Sequence, residues 1–432
     1  MLPAPRIVAI DDEPKHLDGL TRGLNTYGVA CLPIHFTGET ESVCECPHVR
    51  VIFADLHLND GSATDHARDF STIGGLIEDT LKPSGPYFII LWTKYPEQAD
   101  KLCDFLTNRL KDDVAKPFVV QALDKNDHLD GTGNVKSIEE LIKAVRELVA
   151  TQPQIRALFN WEERVTDAGA DTVSSILELA KSETQVQDHT KTLGKLLANF
   201  AVAAVGKEHV EEDRFRAVNE ALLPILADRI ASMRSREVDN EPWEAAFDET
   251  DVGQNLSQDK AAKLNKLIHV ALSTSDKDGS ERGDVLSLPK EFSADMFEST
   301  FNIKEAMAAE KQFWRKNNQK DHNGDLWVLV QTQAACDYAQ KQPGPSPFYL
   351  GLLLPADQVR KNRPPAALWR SPHFVCNNEN CFLHVNARFQ VSLPSANVKK
   401  AKFLFRLREQ LLNDLIYWIH SYGARPGIIS FP

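Results

Sequence analysis

Five short apolar runs, each followed by a more polar stretch, constrain this chain more than any other feature. They are "RIVAI" (6–10), "VACLPI" (29–34), "VRVIFA" (49–54), "YFIILW" (87–92) and "FVVQAL" (118–123). Continuous apolar runs of this length suit strands covered on both faces. The covers are visible between them as helical periodicity. Leu17, Leu20, Leu24 and Tyr27 share one helical face, with Gly28 placed as a stop. Ser137 and Glu140 form a capping box before the stripe Ile138, Leu141, Ile142, Val145, Leu148 and Val149. The pattern predicts an α/β fold, with a five-stranded, doubly wound parallel sheet over residues 1–150. Ligands of such sheets gather at the carboxyl ends of the strands.

The residues just past each run are therefore the informative ones. Asp11 and Asp12 follow the first, Asp55 the third, Thr93 the fourth and Lys125 the fifth. The crowded acids of "IDDEP" have two readings. Either a cation offsets their repulsion, or Asp12 caps a helix opened by Pro14. Lys116 in "AKPF" competes with Lys125, but it follows the polar "RLKDD", whereas Lys125 ends an apolar run. Lys116 is thus expected at the entrance of the fifth strand, on the opposite edge of the sheet.

Taken in order, "IDDEP", "DLHLNDG", Thr93 and Lys125 resemble the receiver domain of bacterial response regulators, over roughly residues 5–150. The resemblance implies a flavodoxin-like fold and a Mg²⁺ ion. Asp12, Asp55 and the backbone carbonyl of His57 would ligate it directly, and Asp11 through water. It further implies that Asp55 accepts a phosphoryl group from a histidine kinase or phosphotransfer protein, that Lys125 neutralises the phosphoryl oxygens, and that Thr93 hydrogen-bonds one of them. Four positions depart from the family pattern: Asn59, Lys94, Asn126 and Ala122, the last standing where many receivers carry a switching aromatic. His57 and His66 are expected as surface residues.

At 432 residues the chain exceeds one ordinary core. "TQPQ" (151–154) is a plausible boundary, giving a receiver over 1–150, a helical segment over 151–275 and a small α+β, barrel-like domain over 276–432. The last is expected to close on a helix carrying Phe403, Leu407, Leu411, Leu415, Trp418, Ile419 and Tyr422, and follows an Asp/Ser-rich stretch at 273–283. Net charge is −12, yet residues 341–432 hold twelve Lys/Arg against four Asp/Glu. That basic end suits docking on the acidic receiver or, less well, nucleic acid. In "HFVCNNENCFLH", His373, Cys376, Cys381 and His384 suit either a zinc site or a hairpin with its cysteines facing across the strands. Cys336 beside Asp337 reads as a buried thiol.

No apolar run is long enough for a membrane span, "MLPAPRIVAI" lacks signal-peptide character, and seven scattered cysteines suit reduced thiols, so a cytoplasmic protein without a membrane partner is expected. A receiver without a DNA-reading module also resembles, in architecture, receiver proteins of bacterial phage-defence phosphorelays. The alternative is a receiver-regulated enzyme or nucleic-acid-binding protein with its active surface in residues 280–432.

Overall fold

The computed structural model describes residues 5–38, 45–58, 66–181, 186–232, 237–271, 281–288, 294–316, 326–339, 344–394, 398 and 401–425. Asn59 and most of the 273–283 stretch lie outside them. The chain divides into two compact units, residues 1–163 with 235–249, and residues 164–234 with 250–432.

In the first unit β1 (Ile7–Asp11) leads through α1 (Pro14–Thr26) to β2 (Leu32–His35) and β3 (Val51–Ala54). Next come α2 (His66–Gly75), continued by a π-helical turn at Leu76–Leu81, and then β4 (Tyr87–Thr93) and α3 (Ala99–Arg109). β5 (Pro117–Asp124), the single turn α4 (Lys125–His128) and α5 (Ile138–Ala150) complete the series. The strands pair in the order β2-β1-β3-β4-β5, all parallel. This doubly wound order reverses between β1 and β3, where such sheets open a crevice for ligands.

Both faces of the sheet are covered, as the unbroken apolar runs require. Ile10, Ile52, Ile89 and Leu91 pack with Ile73 of α2 and Leu102 and Leu106 of α3. Ala9, Phe53, Ile90 and Trp92 pack with Leu17, Leu20 and Leu24 of α1 and Leu141 and Ile142 of α5. Each large apolar side chain buried this way contributes roughly 1.5–3 kcal/mol. β2 starts three residues later than the apolar run at 29–34 suggests. The reason is the end of α1. Gly28 takes φ +77°, its N–H bonds to Asn25 O at 3.0 Å, and Val29 N–H reaches back to Leu24 O at 3.0 Å. Val29 is thereby consumed by a Schellman turn.

Beyond α5 the helices are α6 (Pro153–Ala180), α7 (Val186–Val205), α8 (Arg214–Ser232), α9 (Glu237–Ala246) and α10 (Gln258–His269). The second unit then builds β6 (Val270–Ala271), β7 (Asp284–Ser287), α11 (Ala294–Phe301), α12 (Glu305–Lys311), β8 (Leu326–Gln331) and α13 (Ala335–Ala339). β9 (Ser346–Pro355), β10 (Leu368–Arg370), β11 (Phe374–Cys376), β12 (Glu379–Leu393), β13 (Phe403–Leu407) and α14 (Glu409–Gly423) follow. Its strands form a curled antiparallel sheet in the order β10-β12-β9-β8-β7-β13-β6, with β11 paired to β12.

Leu411, Leu412, Leu415 and Ile419 of α14 cover one face of that sheet, against Val285, Val328, Val330, Leu383 and Val385. Phe297 and Ala308, from α11 and α12, cover the other. One expectation is corrected here. Phe403 and Leu407 belong to a strand and not to the closing helix, because "FLFRL" pairs with β7 and β6. An i, i+4 spacing fits an alternating strand equally well at two points, and tertiary pairing decides between them. Among the described residues, no helix is long and apolar enough to cross a membrane.

Candidate functional site

The carboxyl ends of β1, β3 and β5 converge on three acids and one amine. Asp11 closes β1 and Asp12 follows it; Asp55 follows β3, its N–H bonded to Ile10 O at 2.9 Å. Lys125 opens α4, the turn that Asp124 caps by accepting the Asn126 N–H at 2.8 Å. Asp11, Asp55 and Lys125 are buried, at 1%, 7% and 2% exposure. Lys125 Nζ lies 2.8 Å from Asp11 Oδ2 and 2.7 Å from Asp55 Oδ2, so one ammonium bridges two carboxylates.

Asp11 is further fixed by the Glu13 N–H, which donates to its Oδ1 at 2.9 Å. The capping reading of Asp12 is thereby settled. Glu13 is the first flanking residue of α1 and makes no side-chain cap, Pro14 opens the helix, and Asp12 is left half-buried beside the cluster. Carboxylate oxygens of Asp11, Asp12 and Asp55 lie within 4.8 Å of one another. Three hard oxygen donors that close, one of them reaching solvent, fit a divalent cation.

The electrostatics follow from three acids sharing one lysine. Burial and the adjacent Asp11 charge raise Asp12 above the usual carboxylate range. Asp55, pushed up by burial and by its acidic neighbours against the pull of Lys125, reaches about 6. For Asp11 burial acts upward, but His16 and Lys125 outweigh it and hold the carboxyl below its ordinary value. His16 Nδ1 stands 3.7 Å from Asp11 Oδ1 and 3.4 Å from Lys125 Nζ. Sequence reasoning passed over His16. Its one signal is its position in the first turn after a strand end, a place that faces whatever the strand end holds.

Thr93 ends β4 with no exposure, and its Oγ1 accepts the Tyr95 N–H at 3.2 Å. It stands at the same end of the sheet and is engaged with Tyr95, not with the carboxylates. Lys116 sits just before β5, where its Nζ donates to Leu110 O and, at 2.9 Å, to Lys111 O. A cation there satisfies carbonyls at the end of α3, far from strand ends that carry the acids. Ala122 and Asn126 occupy β5 and α4, and Lys94 is exposed.

His57 and His66, expected as surface residues, are only partly exposed. Their side chains are 26% and 18% exposed, and both face Asp69, a buried acid of α2 that sequence reasoning passed over. His66 and Asp69 stand at i, i+3, a pairing readable only once the start of α2 is known.

In the second unit, Cys376 and Cys381 do lie on a hairpin, but with a two-residue turn. Asn377 and Asn378 take φ +49° and +64°, as a tight hairpin turn requires. Cys376 pairs with Glu379 and Cys381 with Phe374, so the cysteines are diagonal and not opposed. His384 stands three residues from Cys381 and so on the other face of β12. There it is fully buried, donates Nδ1–H to Phe313 O at 2.7 Å, and is pushed down to about 4 by burial. His373 approaches Gln258 O instead. Among the described residues these four make no cluster able to hold a metal. The side chain of Cys336 lies outside the described residues, and Asp337 is exposed. Part of the basic excess is neutralised within the unit, since Arg360 pairs with Glu310 at 2.8 Å and Arg406 with Asp284 at 2.7 Å.

No protein-family model matches this chain, and no curated protein matches it. The first unit is compatible with a receiver domain on its sheet order and its acidic pocket.

Proposed function

We propose that the first unit is the phosphoacceptor of a phosphorelay, taking a phosphoryl group on Asp55 from a histidine kinase or phosphotransfer protein. The observation that carries this reading is the single ammonium of Lys125 shared by Asp11 and Asp55, with Asp12 beside them in contact with solvent. Among the described residues, three acids gather here around one lysine, with His16 at Asp11, so acid outnumbers base.

Asp11, Asp12, Asp55 and the backbone carbonyl of His57 would hold Mg²⁺, which when bound supplies positive charge at the phosphoryl oxygens. Asp55, whose acidity lies near 6, is ionised at neutral pH and able to attack. One of its oxygens forms the P–O bond as the P–N bond of a phosphohistidine breaks, and the departing imidazole takes up a proton from solvent. Lys125, already 2.7 Å from Asp55 Oδ2, neutralises an equatorial oxygen. Thr93 accepts the Tyr95 N–H through its oxygen, which leaves its hydroxyl proton free to donate to the phosphoryl group. Water reaching the same phosphorus reverses the modification slowly.

The output runs through the second unit, with its antiparallel sheet ordered β10-β12-β9-β8-β7-β13-β6. The place of such a chain in a phage-defence phosphorelay rests on the resemblance of its sequence architecture alone. The test is intact mass after incubation with acetyl phosphate and Mg²⁺. The wild-type chain gains about 80 Da, the mass of one phosphoryl group, and loses the gain when Mg²⁺ is chelated. A gain that persists in Asp55→Asn would place the phosphoryl group elsewhere and end the assignment.

A further inference from the structure

A second group of metal-ligating side chains lies outside the acidic pocket, and the phosphoacceptor reading makes no use of those side chains. His57 follows β3 by three residues, while His66 and Asp69 stand one helical turn apart at the start of α2. One ligand atom from each lies within 4.8 Å of the other two. Asp69 is 5% exposed, and its Oδ2 stands 3.0 Å from His57 Nδ1 and 3.7 Å from His66 Nδ1.

A hydrogen bond between His57 and Asp69 accounts for the shorter distance. It leaves His66 unexplained. The Nδ1 atom of His66 is buried, faces the same carboxylate from beyond hydrogen-bond range, and has no hydrogen-bond partner among the described residues; His57 Nε2 is also buried and unpartnered. Buried polar atoms are ordinarily satisfied, so an unsatisfied His66 nitrogen facing a carboxylate at 3.7 Å needs a cause.

We propose that His57, His66 and Asp69 form a binding site for a divalent transition-metal ion of the zinc class. Two ligands held about 2.0–2.1 Å from a tetrahedral zinc stand roughly 3.3–3.4 Å apart. The 3.0 Å and 3.7 Å separations bracket that value. Two imidazoles and one carboxylate suit zinc and its neighbours, whereas Mg²⁺ takes oxygen ligands. Tyr95 walls the site, its ring 4.9 Å from the His57 ring and 5.6 Å from that of His66, centroid to centroid. Three protein ligands leave one position for water or an incoming group. The ion ties the chain two residues past Asp55 to the first turn of α2.

Zinc chloride titrated into the full chain against a chromogenic chelator, with excess MgCl₂ present, tests the site. Loss of a ligand should weaken uptake by at least the roughly 10–100-fold that loss of an outer-shell partner costs. His66→Gln and His57→Gln are each expected to show that loss, with far-UV circular dichroism confirming the fold; either variant serves if the other does not fold. Asp12→Asn is expected to keep wild-type zinc affinity, which separates this site from the acidic pocket and from the phosphoacceptor reading. Cobalt loaded in place of zinc should give visible bands that vanish in His66→Gln. Wild-type zinc affinity in the folded histidine variants, or affinity lost in Asp12→Asn and kept in them, would overturn the proposal.

Discussion

Asp55 in the first unit and Asp284 in the second are both buried carboxylates held by a cation, yet their surroundings differ in one respect. Asp284, wholly unexposed at the start of β7, accepts Arg406 Nε at 2.7 Å and the Glu281 N–H at 2.9 Å. Arg406 in turn contacts Glu281, and burial lowers it to about 10. Cations and acids alternate there. Asp55 shares its lysine with Asp11 and lies beside Asp12, so the pocket has more acid than base. A balanced buried network is part of the architecture. An unbalanced one at strand ends in reach of solvent could take up a metal ion, because removing charges from water is tolerated only when something offsets them.

The two kinds of sheet explain the placement. All five parallel strands of the first unit end on one edge, so residues far apart in sequence arrive together at the β1/β3 switch point. In the antiparallel sheet neighbouring strands end on opposite edges, and buried Asp284 finds its partner, Arg406, across a strand pair.

Removing one charged partner from each buried network has the largest expected effect. Lys125→Ala leaves two buried carboxylates without their ammonium and should cost about 3–5 kcal/mol. Asp284→Ala leaves Arg406 with less anion around it and should cost about 3 kcal/mol. Urea unfolding checks both. The distinguishing result is rescue: Mg²⁺ recovers part of the loss in Lys125→Ala and none in Asp284→Ala. A response to Mg²⁺ that is alike in both variants would dissolve the distinction. Lys116→Ala, which removes only carbonyl contacts at the end of α3, should cost less than about 1 kcal/mol.

Asp55→Asn should change how stability depends on pH. The Asp55 carboxyl titrates near 6 in the folded chain and near 3.9 when unfolded. The folded state therefore binds the proton more tightly. Stability from Asp55 is full below about pH 4 and is lost as pH rises through about 6. Without metal, Asp55→Asn should be more stable than wild type at pH 7.5 by about 1–3 kcal/mol, and the gap should close by pH 4. A gap that widens on acidification would show that Asp55 is stabilised as the anion.

Much of this was legible in the sequence, for physical reasons that particular residues illustrate. Buried parallel strands leave unbroken apolar runs, and residues that follow them must lie at one edge, so Asp11, Asp12, Asp55, Thr93 and Lys125 could be ordered before any coordinates. The same logic separated Lys125 from Lys116. Local spacing misled where tertiary pairing decides. Phe403 and Leu407 fit a helix by count and form a strand because β7 and β6 flank them. The cysteines of "CNNENC" are symmetric in sequence, but two asparagines at positive φ shorten the turn and shift the register. Asp69 was invisible because a buried acid on a polar-looking helix betrays nothing until its histidine partners are placed.

The most direct measurement is thermal unfolding of the wild-type chain and of Asp12→Asn with and without Mg²⁺, at pH 7.5 and pH 5. Binding to the folded state at ten times the dissociation constant stabilises it by about 1.4 kcal/mol. Tm should rise for wild type at pH 7.5, rise less at pH 5 as protons compete for Asp55, and rise little or not at all in Asp12→Asn. An equal rise in both chains, or no rise in wild type at pH 7.5, would contradict the claim that the acidic pocket is built to hold a divalent cation.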